Sequence, residues 1–171
     1  SLNVLGDEPE LSLLELGSGN GFLALCFLAL RHWKELVITD IDTHLPLIQT
    51  TLDENAHFVS SESNVQVTEH KRGELEDALT GKKFDVIVGS DVAYHEDLYD
   101  ILITSLLRFS HESTVALMGV TMNDTKPLFF HTLREAGFRY ERFGRLVNGT
   151  RVSRNHLWHF CHYARAIGHP R

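Results

Sequence analysis

Residues 13–25 read LLELGSGNGFLAL, an apolar run that leads into three glycines at alternate positions. Residues 11–16 form a short apolar stretch, which is typical of a strand buried on both faces. Residues 21–32 follow with a helical pattern. A glycine-rich turn between a buried strand and a helix is typical of α/β folds that bind a ligand at the helix N-terminus. The stretch therefore predicts an α/β domain with a ligand site at this turn.

The rest of the chain continues the alternation of strand and helix patterns. Further strands are predicted at 36–39, 64–68, 84–89, 114–120, 138–145 and 156–163, and further helices at 43–58 (with Thr43 as N-cap), 96–109 and 126–136. Such alternation implies a parallel sheet with helices on both faces. The Asn-Gly pair in LVNGTRVSRN, residues 146–155, is typical of a hairpin, so the last two strands are predicted to be antiparallel. We predict a single domain over residues 1–171.

The composition limits the classes of function. The 171 residues carry a formal net charge of −7, which argues against the phosphate backbone of a nucleic acid as the main partner. Two cysteines are too few for a disulfide framework, and no apolar run is long enough to span a membrane. A cytoplasmic protein is expected, with a nuclear location as the alternative. The first predicted strand begins about ten residues into the chain, which leaves room for a preceding segment in a longer protein.

The spacing of the glycines indicates what kind of ligand the turn accepts. Gly17, Gly19 and Gly21 can adopt positive φ and allow a ligand to approach the backbone closely. Their spacing is G-x-G-x-G, whereas a dinucleotide-binding turn has G-x-G-x-x-G, and Phe22 stands where that pattern needs a small residue. A bulky Phe22 would obstruct a pyrophosphate, so a ligand without phosphates is favoured. The predicted ligand contacts in the turn are Gly17, Ser18, Gly19, Asn20 and Gly21.

Two acidic residues complete this prediction. Glu15 lies at the carboxyl end of the first strand, where a carboxylate repels phosphate and can pair with an ammonium group. Asp40 ends the second strand, about 20 residues after the glycines, and can accept both hydroxyls of a ribose. S-Adenosylmethionine has a ribose and an amino-acid group but no phosphate, so it fits this pair of carboxylates. Ile41, which follows Asp40, is predicted as a further contact of this ligand. The alternative is that Asp40 or Asp42 only caps the next helix.

Three segments carry a resemblance to a known family. LLELGSGNG (13–21), VITDID (37–42) and FDVIVGSDVAYHEDLYDILI (84–103) resemble the seven-β-strand, class I methyltransferases. The resemblance implies a Rossmann-like, doubly wound sheet of seven strands in the order 3-2-1-4-5-7-6, with the last pair antiparallel. It also implies that S-adenosylmethionine is the cofactor.

SDVAYHEDLY, residues 90–99, is similar to the D-x-x-Y or D-x-x-F motif of the family 16 protein lysine methyltransferases. This resemblance implies a protein substrate with an amine as the methyl acceptor. Asp91 is then expected to orient the incoming ammonium and Tyr94 to form a wall of the acceptor channel, where its ring favours a cation. Ser90 is expected under the adenine or the sulfonium. The alternatives are that Asp91 caps the following helix and that Tyr94 is a packed aromatic residue.

The chain departs from this family after the third strand. TEHKRGEL, residues 68–75, has Arg72 where relatives tend to have a tryptophan, and its guanidinium plane can stack on adenine instead. The family also has a tryptophan-containing segment before the first strand that helps to cover the cofactor, and this chain has only ten residues there. His156, His159 and His162 are three apart on one strand, so they alternate between its faces and no metal site is predicted.

These observations predict a monomeric, S-adenosylmethionine-dependent methyltransferase that acts on lysine in a protein, with no membrane or nucleic-acid partner. The first alternative is a methyltransferase for a small molecule or for another side chain, because the same core serves all of them. The second is a methyltransferase-like binding module that keeps the cofactor site without catalysis, which Arg72 and the short N-terminus favour.

Overall fold

The computed structural model describes residues 10–71, 73, 77–121, 125–143, 146–147, 150–151 and 155–162. It divides the chain into two compact units, residues 1–71 and 72–171. No helix within the described residues is both long enough and apolar enough to cross a membrane.

The first unit is a three-stranded parallel sheet with two helices. It comprises strand β1 (Ser12–Leu16), helix α1 (Phe22–Leu30), strand β2 (Glu35–Asp40), a 3₁₀ turn (Asp42–His44), helix α2 (Leu45–Glu54), a second 3₁₀ turn (Ala56–Phe58) and strand β3 (Val65–Glu69). β2 lies between β1 and β3, with Leu14 opposite Val37 and Val37 opposite Gln66. The order within this unit is therefore 3-2-1, and the carboxyl ends of all three strands lie at one edge.

The second unit begins with two parallel strands and ends with an antiparallel pair. It comprises a 3₁₀ turn (Asp77–Leu79), strand β4 (Phe84–Ser90), a 3₁₀ turn (Glu96–Leu98), helix α3 (Tyr99–Phe109), strand β5 (Ser110–Thr121), helix α4 (Pro127–Glu135), strand β6 (Phe138–Phe143), strands β7 (Leu146–Val147) and β8 (Thr150–Arg151), and strand β9 (Asn155–His162). β5 pairs with β4 in parallel and with β9 in antiparallel fashion, and β9 also pairs with β6.

The strand orders within both units agree with the predicted order. The predicted seventh strand is β9, which lies between β5 and β6 and gives the order 4-5-9-6 in the second unit. β7 and β8, on either side of the Asn-Gly pair, form a two-stranded antiparallel sheet with Val147 opposite Thr150, which agrees with the predicted hairpin. The prediction of one domain for the whole chain remains a prediction.

The predicted helix at 43–58 is shorter in the structure, and Thr43 is not its N-cap. Thr43 lies inside the 3₁₀ turn, where its N–H donates to the side chain of Asp42 at 2.8 Å. The helix stops at Glu54 because the side-chain amide of Asn55 donates to the Thr51 carbonyl at 2.8 Å. A short amide that bonds the backbone competes with helical hydrogen bonding, and the chain continues as a 3₁₀ turn.

Candidate active site

The glycine turn after β1 has the backbone that its sequence predicts. Gly17, Gly19 and Gly21 have φ values of 68°, 66° and 83°, all in the left-handed region that favours glycine. The N–H of Ser18 donates to the Thr39 carbonyl at 3.0 Å, which ties the turn to the end of β2. The turn therefore depends on three left-handed residues in alternation.

Asn20 bonds to the first residue of the helix that follows the turn. Its side-chain oxygen accepts a hydrogen bond from the N–H of Phe22 at 3.1 Å, at the first position of α1. Phe22 itself is exposed. Asn20 thus satisfies one of the free N–H groups at the helix N-terminus, a role that sequence reasoning did not assign to it.

The space around the turn differs between its glycines. A β-carbon built on Gly19 would have no atom of the protein within 4 Å, so this position faces open space. A β-carbon on Gly21 would lie 3.3 Å from Cγ2 of Ile48 on α2. A side chain at Gly21 would therefore require a small movement of Ile48, whereas Gly19 leaves room for a ligand at the backbone.

Glu15 is a buried carboxyl group beneath this turn. Its exposed fraction is 1%, and its Oε2 accepts a hydrogen bond from the Ser18 hydroxyl at 2.8 Å. Burial raises the pKa of Glu15 to about 7, and the charge of Asp40 adds to the increase. The hydrogen bonds from Ser18 and from the backbone of Ala24 act in the opposite direction. Near neutral pH the group is thus divided between its neutral and ionised forms.

Asp40 holds the turn from the end of the neighbouring strand. Its Oδ2 accepts the N–H of Gly19 at 2.6 Å, and its Oδ1 accepts the N–H of Ile41 at 2.7 Å. Oδ1 also contacts Nδ1 of His44 at 2.9 Å. The alternative that Asp40 only caps the next helix does not fit these bonds, because its Oδ2 reaches back 21 residues to the glycine turn.

The second group of predicted residues follows β4. Ser90 is the last residue of that strand and lies opposite Gly119 of β5. Asp91 comes next, with its N–H donating to the Gly119 carbonyl at 2.9 Å. Asp91 has a φ of 53°, and it is the one residue other than glycine with a positive φ in the part of the chain that the structure describes. Strained backbone of this kind is concentrated at functional sites.

The structure around Asp91 and Tyr94 bears on their two alternative roles, a helix cap for Asp91 and a packed aromatic residue for Tyr94. The 3₁₀ turn that follows starts at Glu96 with His95 in the N-cap position, so Asp91 does not cap it. Tyr94 is 57% exposed and is not a packed aromatic residue. Between them, Val92 and Ala93 are buried, and the Ala93 carbonyl accepts the Thr125 hydroxyl at 2.7 Å. Buried neighbours thus anchor a short segment that presents an aspartate and an aromatic ring to solvent.

Arg72, which was predicted to stack on adenine, lies outside the described residues. The next residue, Gly73, has a φ of 85°, and a β-carbon there would come 2.8 Å from Cγ2 of Ile101 on α3. Any other residue at 73 would strain the backbone and force the Ile101 side chain to move. The prediction that His156, His159 and His162 form no metal site concerns side chains that the structure does not describe. Among the side chains that it does describe, no group of three His, Cys, Asp or Glu could hold a metal ion.

Three residues near these sites were not found from the sequence. Thr39 donates from its hydroxyl to the Glu15 carbonyl at 2.6 Å, and His44 contacts Asp40. Gly119 leaves room for Ser90, whose hydroxyl would lie 3.3 Å from an added β-carbon. An isolated glycine inside a strand pattern was the available signal for Gly119, since it often marks a close approach.

The chain has recognisable relatives in sequence. The sequence profile of a family described as lysine methyltransferase matches residues 6–136. The protein N-lysine methyltransferase METTL21A of Danio rerio is 29% identical over 107 residues, which are 63% of this chain and 48% of that protein. The chain therefore spans about half the length of this curated relative.

Solved structures with a similar fold are also methyltransferases. The glycopeptide N-methyltransferase MtfA in complex with S-adenosylmethionine superposes with a TM-score of 0.72 and 14% identity, over 95% of this chain and 90% of that one. The ribosomal protein L11 methylase of Lactobacillus delbrueckii subsp. bulgaricus gives 0.69 and 19%, over 93% and 73%. At these identities the likeness shows the fold, which is the α/β Rossmann-like fold of class I methyltransferases.

Proposed function

Because the chain belongs to the lysine methyltransferase family, we propose that it transfers a methyl group from S-adenosylmethionine to a lysine side chain of a protein. The observation that carries the proposal is the extent of the family match, which includes both the glycine turn and the segment from Ser90 to Tyr94. The N-lysine methyltransferase among the relatives and the fold shared with a methyltransferase that holds this cofactor support it.

In this proposal the glycine turn and its two carboxylates bind the cofactor. The ionised form of Glu15 pairs with the ammonium of the methionine part, and Asp40 accepts the ribose hydroxyls. The open space at Gly19 allows the ligand to lie against the backbone. Ser90 is proposed to lie under the adenine or the sulfonium, Arg72 to stack on the adenine, and Ile41 to make a further contact with the cofactor.

The residues after β4 would serve the acceptor. The lysine Nζ attacks the methyl carbon, the carbon–sulfur bond breaks, and S-adenosylhomocysteine leaves. Lysine has an ordinary pKa of about 10.4, so its ammonium must first release a proton to the solvent. The neutral amine then attacks, and the positive charge of the sulfonium passes to the methylated nitrogen. Asp91 is proposed to accept a hydrogen bond from that ammonium and to fix its direction, and the exposed ring of Tyr94 offers a face for the cation.

Methyl transfer can be tested directly. The protein is incubated with S-adenosylmethionine tritiated at the methyl group and with a cell lysate, and the Gly19→Val variant serves as the blank. Label in a protein band that is recovered as methyl-lysine after hydrolysis supports the proposal. Label confined to small molecules favours a small-molecule methyltransferase, and cofactor binding without any transfer favours a binding module.

A cytoplasmic location and a monomeric state are part of the same proposal. Fractionation of cells tests the location, and light scattering on the purified protein tests the oligomeric state.

Replacing Asp40 by alanine is expected to weaken cofactor binding by about 1.5–3 kcal/mol, the range for hydrogen bonds to a charged group. The midpoint of thermal unfolding should also fall, because the N–H groups of Gly19 and Ile41 lose their acceptor. Calorimetry gives the affinity, and a thermal melt gives the stability. A variant that unfolds earlier but binds normally would leave Asp40 with its structural role alone.

Cofactor affinity is expected to fall as the pH drops through 7. Burial raises the pKa of Glu15 to about 7, so below that pH the carboxyl is increasingly neutral and cannot pair with an ammonium. Titration calorimetry between about pH 6 and pH 8 should show proton release on binding at the acid end of this range. In Glu15→Gln the cofactor affinity should be low at every pH in this range and should not vary with pH. Glu62→Gln, which changes an exposed glutamate of the same unit, should keep the parental dependence of affinity on pH. A parental affinity that is constant over this range would contradict the proposed pairing.

A further inference from the structure

The hydrogen bonds around Asp40 leave little capacity for a ligand. Its carboxylate already faces three donors of the protein: Gly19 N–H at 2.6 Å, Ile41 N–H at 2.7 Å and His44 Nδ1 at 2.9 Å. An ionised carboxylate has about four acceptor positions. Its side chain is 11% exposed, so only part of its edge is open to solvent.

A ribose would bring two further donors to the same group. If both hydroxyls bind Asp40, as the proposed function requires, the donors exceed about four acceptor positions. One internal donor must then leave when the cofactor binds. The affinity of the cofactor is reduced by whatever free energy that contact contributes, since binding replaces one interaction with another.

The three internal donors differ in how easily they can leave. The N–H of Ile41 is covalently fixed next to Asp40, and the N–H of Gly19 belongs to a turn that is also held by the Ser18–Thr39 hydrogen bond. His44 donates from a side chain with two rotatable bonds, over the longest of the three distances. Its side chain is 47% exposed, so a displaced imidazole can bond to water.

We propose that His44 competes with the ribose hydroxyls of the cofactor for Asp40 and thereby weakens cofactor binding. The inference rests on the proposed role of Asp40 as the ribose acceptor. It makes His44 a determinant of cofactor affinity whose removal improves binding, which is the opposite of the effect expected for a residue that positions Asp40.

The experiment compares two ligands on matched variants. S-Adenosylhomocysteine and its 2′,3′-dideoxy analogue are titrated by calorimetry into the parental protein, His44→Phe and His44→Ala. A side-chain hydrogen bond contributes about 0.5–1.5 kcal/mol, so removal of His44 should tighten binding of S-adenosylhomocysteine by about two- to tenfold. Binding of the dideoxy analogue should not change. His57→Phe, which alters a histidine of the same unit on a separate 3₁₀ turn, should leave both affinities at the parental values.

Weaker binding of S-adenosylhomocysteine in both His44 variants would overturn the inference and make His44 a positioning residue. Unchanged binding would overturn it as well, because Asp40 would then accommodate all the donors at once.

Asp40→Ala separates these results from failure of the proposed function. If the ratio of the two affinities is the same in Asp40→Ala as in the parental protein, Asp40 does not hold the ribose, and both the role of Asp40 and the inference are wrong. If the ratio of the two affinities is much smaller in Asp40→Ala than in the parental protein, while His44→Phe binds both ligands with parental affinity, only the inference is wrong.

Discussion

The Asp91→Asn variant is expected to bind S-adenosylmethionine with nearly parental affinity and to lose most of its methyl transfer, by about a hundredfold or more. The amide keeps the size of the side chain but cannot balance the charge of an incoming ammonium. Asparagine also tolerates the left-handed backbone at this position, where φ is 53°, so the turn and its bond to the Gly119 carbonyl should persist. Initial rates with the tritiated cofactor and calorimetry on the same preparation measure the two properties.

A matched control lies in the same segment. Asp97→Asn makes the same chemical change at an exposed carboxylate of the following 3₁₀ turn, and it should transfer methyl groups at the parental rate. If Asp91→Asn is as active as this control, the assignment of Asp91 to the acceptor is wrong, and the small-molecule alternative becomes the better explanation of the site.

Substitution of Gly19 by valine is expected to abolish cofactor binding. A β-carbon there would meet no atom of the protein within 4 Å, so the valine side chain would extend into the space that the proposed ligand occupies. The φ of 66° adds strain of about 1–2 kcal/mol for a residue with a β-carbon, and a β-branched side chain is the least tolerant. Calorimetry on variant protein shown to be folded by its circular dichroism is the measurement.

Gly81 provides a control for the strain itself. It has a φ of 74° in a turn before β4, and a β-carbon there would also meet nothing within 4 Å. Gly81→Val should therefore lose a similar amount of stability and bind the cofactor normally. Equal loss of binding in both variants would mean that destabilisation explains the result, and Gly19 would no longer be assigned to the site.

Much of the fold could be predicted because its signals are local in sequence. The alternate glycines, the apolar run before them and the strand ending at Asp40 each depend on neighbouring residues, and all three lie where the pattern placed them. The Asn-Gly pair likewise predicted a hairpin whose residues are adjacent in the chain. The alternation of strands and helices was enough to predict a parallel sheet, and the order of strands within each unit agrees with the order that the family resemblance implied.

The features that were not predicted depend on contacts between distant residues. Gly119 lies opposite Ser90 because of the register in which β4 pairs with β5, and the sequence alone does not determine that register to the residue. His44 reaches Asp40 because a 3₁₀ turn replaces the first turn of the predicted helix, and helix boundaries are weakly encoded. The raised pKa of Glu15 comes from burial, which only the assembled unit produces.

The backbone at Asp91 limits which residues can stand there in a way that its exposed position does not suggest. Glutamate would keep the negative charge, but it resists a left-handed conformation. Asparagine and glycine would accept that conformation and lose the charge. Among the natural amino acids, only aspartate combines a carboxylate with tolerance of this backbone, so two independent requirements meet in one side chain. If Asp91 has the proposed role, a surface position that would ordinarily accept many substitutions accepts few at residue 91, because the backbone conformation and the charge of the proposed acceptor both require aspartate.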